Sequence, residues 1–199
     1  MKKKLGVVLL AAGNSNRYHG KKLLEMFHGK QMYLHILEKL EVLDCTAKVV
    51  VTQYEMIARE AERRGFHVVI NENPQEGIAH SIRLGMNYLK KTKNVDGILF
   101  SVCDQPFLKM ETLERLKNVF ENENNRLLCA GYQGKMGNPC IIGKEYFNEL
   151  MNLQGDKGGK RILLEHQEDV LILEVEEIEL IDVDTREQAI YLQSKIISD

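Results

Sequence analysis

Leu5-Gly6-Val7-Val8-Leu9-Leu10-Ala11-Ala12-Gly13-Asn14-Ser15-Asn16-Arg17-Tyr18-His19-Gly20-Lys21-Lys22-Leu23-Leu24 is the stretch on which the reading of this chain turns. The apolar run Leu5 to Leu10 has the composition of a buried strand and ends in two alanines and a glycine. Small residues let backbone approach a ligand closely, and Gly13 is free to take a positive φ. Backbone N–H groups in such a turn, together with Arg17 and Lys22, have the chemistry to hold a triphosphate. An ordinary strand-to-helix loop whose basic side chains face water accounts for the loop equally well when it is taken alone. Two familiar phosphate motifs are missing: there is no G-x-x-x-x-G-K-[ST] and no G-x-G-x-x-G after the strand.

Outward from this stretch, short β-branched runs alternate with helical patterns. Strands are expected at Leu5–Leu10, Lys48–Thr52, His67–Ile70, Gly97–Val102, Leu127–Tyr132, Cys140–Ile142, Val170–Glu174 and Glu179–Asp182. Helices are expected at Met32–Leu43, Tyr54–Arg64, Gly77–Lys91, Glu111–Glu123, Lys144–Met151, Gly158–His166 and Thr185–Lys195. Ile78, Ile82, Met86 and Leu89 fall on one helical face, and Thr185-Arg186-Glu187-Gln188 reads as a T-x-x-Q capping box. The βαβαβαβ order of the first half implies an α/β fold with a mostly parallel sheet and right-handed crossovers. Gly134 and Gly137, between two short runs, predict a hairpin and hence a short antiparallel part. Pro74, Pro106 and Pro139 all fall at expected loop positions, and residues 1–199 read as one domain.

The net charge of −2 encodes no global attraction to nucleic acid or to a membrane surface, so neither is an expected partner. Lys2-Lys3-Lys4 reads as a solvated lead-in to the first strand, and no apolar stretch approaches the ~20 residues that span a bilayer. Cys45, Cys103, Cys129 and Cys140 form no C-x-x-C pair and read as buried free thiols, which favours a cytoplasmic protein. The six histidines are scattered without ligand spacing; only His19 and His80 fall on candidate site loops.

Three further loops fall at strand ends, where open α/β sheets bind ligands. Asp104, in Cys103-Asp104-Gln105-Pro106, suits a magnesium ion, which takes one or two carboxylates beside substrate phosphates; it equally suits a turn or capping role. Asp182 and Asp184 alternate along an extended run and should point to the same side. Asp184 is a second metal ligand, the N-cap of the following helix, or both. In Asn71–Ser81 the polar side chains from Asn73 to Ser81 have the chemistry to read a base and sugar, while Asn-Pro turn chemistry explains the loop without any ligand.

Taken together, these residues resemble the molybdenum cofactor cytidylyltransferase family, within the Rossmann-like nucleotidyltransferases. The opening L-A-A-G-x-S-x-R with a later K-L-L is carried by Leu10 to Arg17 and Lys22-Leu23-Leu24. Gly77 to Arg83 match G-M-x-x-S-L-[RK], Cys103 to Pro106 match C-D-Q-P, and Gly137-Asn138-Pro139 match G-x-P. Gly155-Asp156-Lys157-Gly158 match G-D-x-G, and Asp182 to Thr185 the closing D-x-D-T. The sequence departs from the family pattern at Tyr18 and His19, which stand for methionine and glycine, and at Gly159-Lys160, which stand for Ala-Arg.

The resemblance implies a three-layer nucleotidyltransferase fold and a Mg²⁺-dependent transfer of CMP from CTP to molybdopterin, with release of pyrophosphate. Leu10, Ala11, Ala12, Gly13, Asn14, Ser15, Arg17, Lys22, Asn73, Gly77 and Ser81 would bind the nucleotide. Asp104 and Asp184 would hold the metal, and Gln105, Gly137, Asn138, Pro139 and Asp156 would meet the acceptor. Arg17, Lys22 and Asp104 would carry the catalysis. Related guanylyltransferases usually have L-A-G-G in the first loop, so Ala12 points to CTP. A guanylyltransferase using GTP and a sugar- or alditol-phosphate nucleotidyltransferase remain open. So does a non-catalytic nucleotide-binding factor that helps mature a molybdenum hydroxylase.

Overall fold

In the computed structural model, residues 2–92 and 94–196 are described. The opening apolar run forms β1 (Leu5–Ala11), and the expected alternation follows: α1 (Leu34–Val42), β4 (Ala47–Thr52), α2 (Glu55–Arg63), β5 (His67–Ile70), α3 (Ile78–Thr92) and β6 (Gly97–Val102). Between β1 and α1 lies a small antiparallel hairpin, β2 (Met26–Phe27) with β3 (Lys30–Gln31), too short to leave a periodic signal in sequence. The second half contributes α4 (Met110–Asn122), β7 (Leu127–Tyr132), β8 (Lys135–Gly143), α5 (Phe147–Met151), α6 (Gly159–Glu165), β9 (Val170–Glu174) and α7 (Arg186–Ile196).

Seven strands make one sheet in the order β5-β4-β1-β6-β8-β7-β9. All neighbours pair in parallel except at β8, which runs antiparallel to both β6 and β7. This is the short antiparallel part expected from the glycines around residue 134. Helices cover both faces. Val7 and Leu9 point into an apolar layer with Leu37, Ile57, Leu116 and Leu192; Val8 points to the opposite layer with Ile82, Met86, Leu150 and Ile162. The period-2 alternation of β1 thus divides the core in two, and the result is a three-layer α/β/α fold.

Several expectations are corrected. Glu179–Asp182 is not a strand: Glu177–Leu180 turn as a 3-10 helix. The cause is Glu179, buried, whose carboxylate accepts from the Lys109 backbone N–H at 3.0 Å and the Thr112 hydroxyl at 2.6 Å and so caps α4 from a distance. Pro139 is not in a loop but inside β8, beside the register shift opposite Cys129 and Gly131, where a strand tolerates proline. Lys3 is not merely solvated: its ammonium donates to the Glu123 carbonyl at 2.6 Å and the Asn125 carbonyl at 3.1 Å. The four cysteines are free thiols, three buried and Cys45 half-buried. Among the described residues no helix is long and apolar enough to cross a membrane.

Gly97 shows how tightly the layer that holds Leu37, Leu116 and Leu192 closes on the sheet. A Cβ there would lie 2.3, 2.8 and 3.1 Å from three ring atoms of Phe120, itself fully buried in α4. Gly97→Ala is expected to destabilise the protein by about 1–3 kcal/mol, the range for overpacking a filled core. Denaturant unfolding of the two proteins side by side measures it.

Candidate active site

The carboxyl ends of β1, β4 and β6 lie level, with Ala11 opposite Thr52 and Leu10 opposite Val102. The chain leaves β1 toward β4 on one side and later returns to β6 on the other. This reversal is the switch point at which open α/β sheets form a crevice. A cavity of about 350 Å³ opens there, within the range of small-molecule sites.

Its lining comes from distant parts of the sequence. The first loop supplies Leu10, Ala12, Gly13, Asn14, Ser15, Arg17 and Lys22; the segment before α3 supplies Pro74 and Gly77, and α3 itself Ser81; Asp104, Asp156 and Asp184 complete it. Gln105, Gly137, Asn138 and Pro139 are outside this lining, as are Ala11 and Asn73. Asn73 is exposed, and its backbone N–H donates to the Asn71 side chain at 2.9 Å. The buried polar residue of that loop is Asn71, also outside the lining, whose amide donates to the hydroxyl of the lining residue Ser81 at 2.9 Å. Burial of a single asparagine leaves no mark in a loop rich in Asn and Glu.

Charge is concentrated at one end of the cavity. Lys22 is buried, and its ammonium lies 2.8 Å from an Asp104 carboxylate oxygen and 3.6 Å from one of Asp184. Arg17, largely exposed, reaches Asp184 at 3.0 Å. The two aspartates are brought together by main chain: the Val183 N–H donates to the Asp104 carbonyl at 2.8 Å. Neither carboxylate caps a helix. The cap of α7 is Thr185, whose hydroxyl accepts from the Gln188 N–H at 3.1 Å, while the Gln188 side chain accepts from the Asp184 N–H at 2.8 Å. Of the two roles open to Asp184, the capping one is therefore excluded.

Asp182 adds a third negative charge nearby. Loss of hydration, then the neighbouring charges of Asp104 and Asp184, push its carboxyl up to about 6, opposed by a hydrogen bond from Gln105. Its residue surface is nevertheless exposed, so the carboxyl is crowded by protein rather than enclosed. Among the described residues no group of three or more His, Cys, Asp and Glu side chains is placed to hold a metal ion. Asp104 and Asp184 do converge on one cation, the Lys22 ammonium. Two hard oxygen donors aimed at one point fit a magnesium ion that draws its other ligands from phosphate and water.

The opposite wall is built by glycine. Gly77 has φ +82°, and a Cβ on it would lie 2.4 Å from the carbonyl group of Gly155 and 2.7 Å from an Asp156 carboxylate oxygen. Only glycine lets α3 dock on the 155–158 loop, where the Ala79 N–H donates to the Gly155 carbonyl at 3.0 Å and the Arg83 guanidinium to the Leu153 carbonyl.

At the tip of the first loop, Tyr18 is buried beneath the Arg186 guanidinium, 5.7 Å from its ring, and His19 takes φ +52°. The loop keeps a left-handed turn at the position where the resemblance has glycine.

One set of contacts was invisible in sequence. The carbonyls of Ala11, Ala12 and Gly13 accept from three consecutive residues: the Thr52 hydroxyl at 3.0 Å, the Gln53 amide at 2.9 Å and the Tyr54 hydroxyl at 3.0 Å. They arise because Thr52 ends its strand level with Ala11.

A sheet with its cavity at this edge, walled by a small-residue loop and by the aspartates Asp104 and Asp184, defines an α/β protein of the nucleotide-binding class. Comparison with known proteins narrows this. Residues 7–170 match the MobA-like NTP transferase domain family, and the chain belongs to that family of nucleotidyltransferases. It is similar to the molybdenum cofactor guanylyltransferase of Histophilus somni (strain 2336), 27% identical over 140 residues, 69% of this chain and 67% of that protein. It is also similar to the molybdenum cofactor guanylyltransferase of Haemophilus influenzae Rd, 30% identical over 135 residues, 63% of each chain. Among solved structures it superposes on Rv0371c from Mycobacterium tuberculosis H37Rv with a TM-score of 0.81, 25% identity and coverage of 96% of this chain and 98% of that one. A second structure of that mycobacterial protein is a complex with manganese.

Proposed function

We propose that this enzyme transfers a nucleoside monophosphate from a nucleoside triphosphate to the terminal phosphate of molybdopterin, releasing pyrophosphate. The observation that carries the proposal is the Lys22 ammonium held between Asp104 and Asp184 at the end of a cavity whose other wall is the Ala12–Ser15 loop. In such a reaction an acceptor phosphate oxygen attacks the α-phosphorus and the bond to the pyrophosphate oxygen breaks. A phosphate monoester is already ionised near neutral pH, so a strong base is not required. The difficulty is bringing two anions together, and catalysis rests on positioning and on fixed positive charge.

The residues divide this work. Loop N–H groups and Ser15 receive the phosphates. Arg17, in an exposed pair worth about 0–1 kcal/mol, exchanges Asp184 for the leaving phosphates at little cost. Lys22, less exposed and in reach of both carboxylates, neutralises charge at the α-phosphate. Asp104 and Asp184 would hold a magnesium ion, which when bound supplies charge neutralisation across the triphosphate. Ser81, held by the Asn71 amide, faces the sugar and base, and Gln105, Gly137, Asn138, Pro139 and Asp156 form the acceptor side. The manganese complex of the mycobacterial structure supports use of a divalent cation.

The guanylyltransferase relatives favour GTP as the donor, whereas Ala12 is the one residue that favours CTP. Pyrophosphate release should be measured with GTP and with CTP, each with Mg²⁺ and molybdopterin. Release with one nucleotide and this acceptor is expected. Release only with sugar or alditol phosphates would replace the acceptor assignment, and no release with any acceptor despite nucleotide binding would replace the enzyme with a binding factor.

A further inference from the structure

A trans peptide places the carbonyl of one residue and the N–H of the next on opposite edges of one plane. Fixing the carbonyls of Ala11, Ala12 and Gly13 against Thr52, Gln53 and Tyr54 therefore turns the N–H groups of Ala12, Gly13 and Asn14 the other way. Ala12, Gly13 and Asn14 line the cavity, and Ala11 does not. We infer that Thr52, Gln53 and Tyr54 are positioning residues that clamp the carbonyls of the phosphate-binding loop, so that its N–H groups already face the cavity before an anion arrives. The inference deepens the function proposed above and rests on it.

Three observations support a positioning role over simple packing. The pairing is consecutive, residue 52 to 11, 53 to 12 and 54 to 13. The Gln53 amide reaches further, to the Gly13 carbonyl at 3.4 Å and the Asn14 side-chain oxygen at 3.1 Å, so one donor group serves the turn itself. The contacts at Gly13 and Asn14 lie at exposed positions, where water would satisfy the same oxygens. A Cβ at Gly13 would meet nothing within 4 Å, so side-chain packing does not hold the loop there; hydrogen bonds do. Released from the clamp, a glycine-containing turn can rotate its peptides and present carbonyl oxygens, the negative end of the dipole, to a phosphate.

The test uses the full chain and inorganic tripolyphosphate, which reports the phosphate subsite without the base or the acceptor. Titration calorimetry compares wild type with Gln53→Met, Gln53→Glu and Tyr54→Phe. Gln53→Met and Tyr54→Phe should each weaken tripolyphosphate binding by about tenfold, the effect of losing one oriented hydrogen bond in a polar site. Gln53→Glu, equal in size but without a donor, should weaken it more than Gln53→Met. Thermal midpoints should stay near wild type because most of these contacts are exposed. In turnover, KM for the nucleotide should rise with KM for the acceptor unchanged. The amide signals of Gly13 and Asn14 should shift on adding tripolyphosphate in wild type and shift less in the variants. Wild-type affinity and unchanged amide shifts in both Gln53→Met and Tyr54→Phe would overturn the clamp alone. A wild type that binds neither tripolyphosphate, GTP nor CTP would overturn the functional reading and the clamp with it.

Discussion

Asp104→Ala is expected to reduce the rate of pyrophosphate release by about 10²–10³-fold, the scale seen when one fixed electrostatic contact to a transition state is removed. The carboxylate is the nearer of the two that face the Lys22 ammonium, and nothing in its surroundings uses it to cap a helix. Its structural duty is performed by its main chain, through the bond from the Val183 N–H to its carbonyl. Alanine keeps that bond, so the fold should survive, and Lys22 retains Asp184 as a partner. Asp104→Asn preserves the shape and removes only the charge, and should lose nearly as much activity. Stopped assays at saturating nucleotide and acceptor, with circular dichroism to verify folding, make the comparison. A folded Asp104→Ala protein that turns over near the wild-type rate would remove Asp104 from the metal and catalytic roles together.

Lys22→Met should be as damaging to turnover, again about 10²–10³-fold, but it should differ from Asp104→Ala in its effect on the resting protein. Methionine matches the length of the lysine stem and leaves the Asp104 and Asp184 carboxylates without the ammonium that now lies between them. Removing one partner from a buried ionic cluster leaves the others uncompensated. Here both carboxylates retain some contact with water, so the loss of stability should be well below the ~3–5 kcal/mol of a fully buried pair. Salt should recover part of it by screening the repulsion. Unfolding at low and high salt measures this, and the absence of any salt-dependent loss would mean that the carboxylates are not held close by Lys22. Full activity in a folded Lys22→Met protein would take the lysine out of the chemistry.

The parallel half of the fold was legible because each of its strands is a short, mostly apolar run with a helical pattern of one apolar face after it. The same alternation in β1 that sends Val7 and Leu9 one way and Val8 the other also requires the two helical layers. The two aspartates were legible as candidates, because Asp104 and Asp184 each follow a run that reads as extended in sequence, although only the first of these runs is a strand. Their alternatives were not separable in sequence: a capping aspartate and a ligand aspartate look alike until the partner of each oxygen is known. At the last helix that partner turned out to be decisive, with Thr185 capping and Asp184 left to pair with Arg17 and Lys22.

Other features depend on contacts between residues far apart in the chain. Glu179 turns the expected last strand into a 3-10 helix by capping a helix whose first residues lie some seventy positions earlier. Gly77 is needed for its φ of +82° and because Gly155 and Asp156 arrive against it. Thr52, Gln53 and Tyr54 gain their bearing on the first loop only because β4 lies beside β1 with Thr52 level with Ala11.

By itself, then, the sequence determined the class of fold, the loop after the first strand and Asp104 and Asp184 as candidates, since period-2 runs, glycine and carboxylates carry their meaning locally. The tertiary structure alone decided that one lysine stands between two of those aspartates and that the loop's carbonyls are turned away from the cavity. Both are distances between side chains and backbone brought together by strand order, and strand order is set by packing that no local pattern encodes.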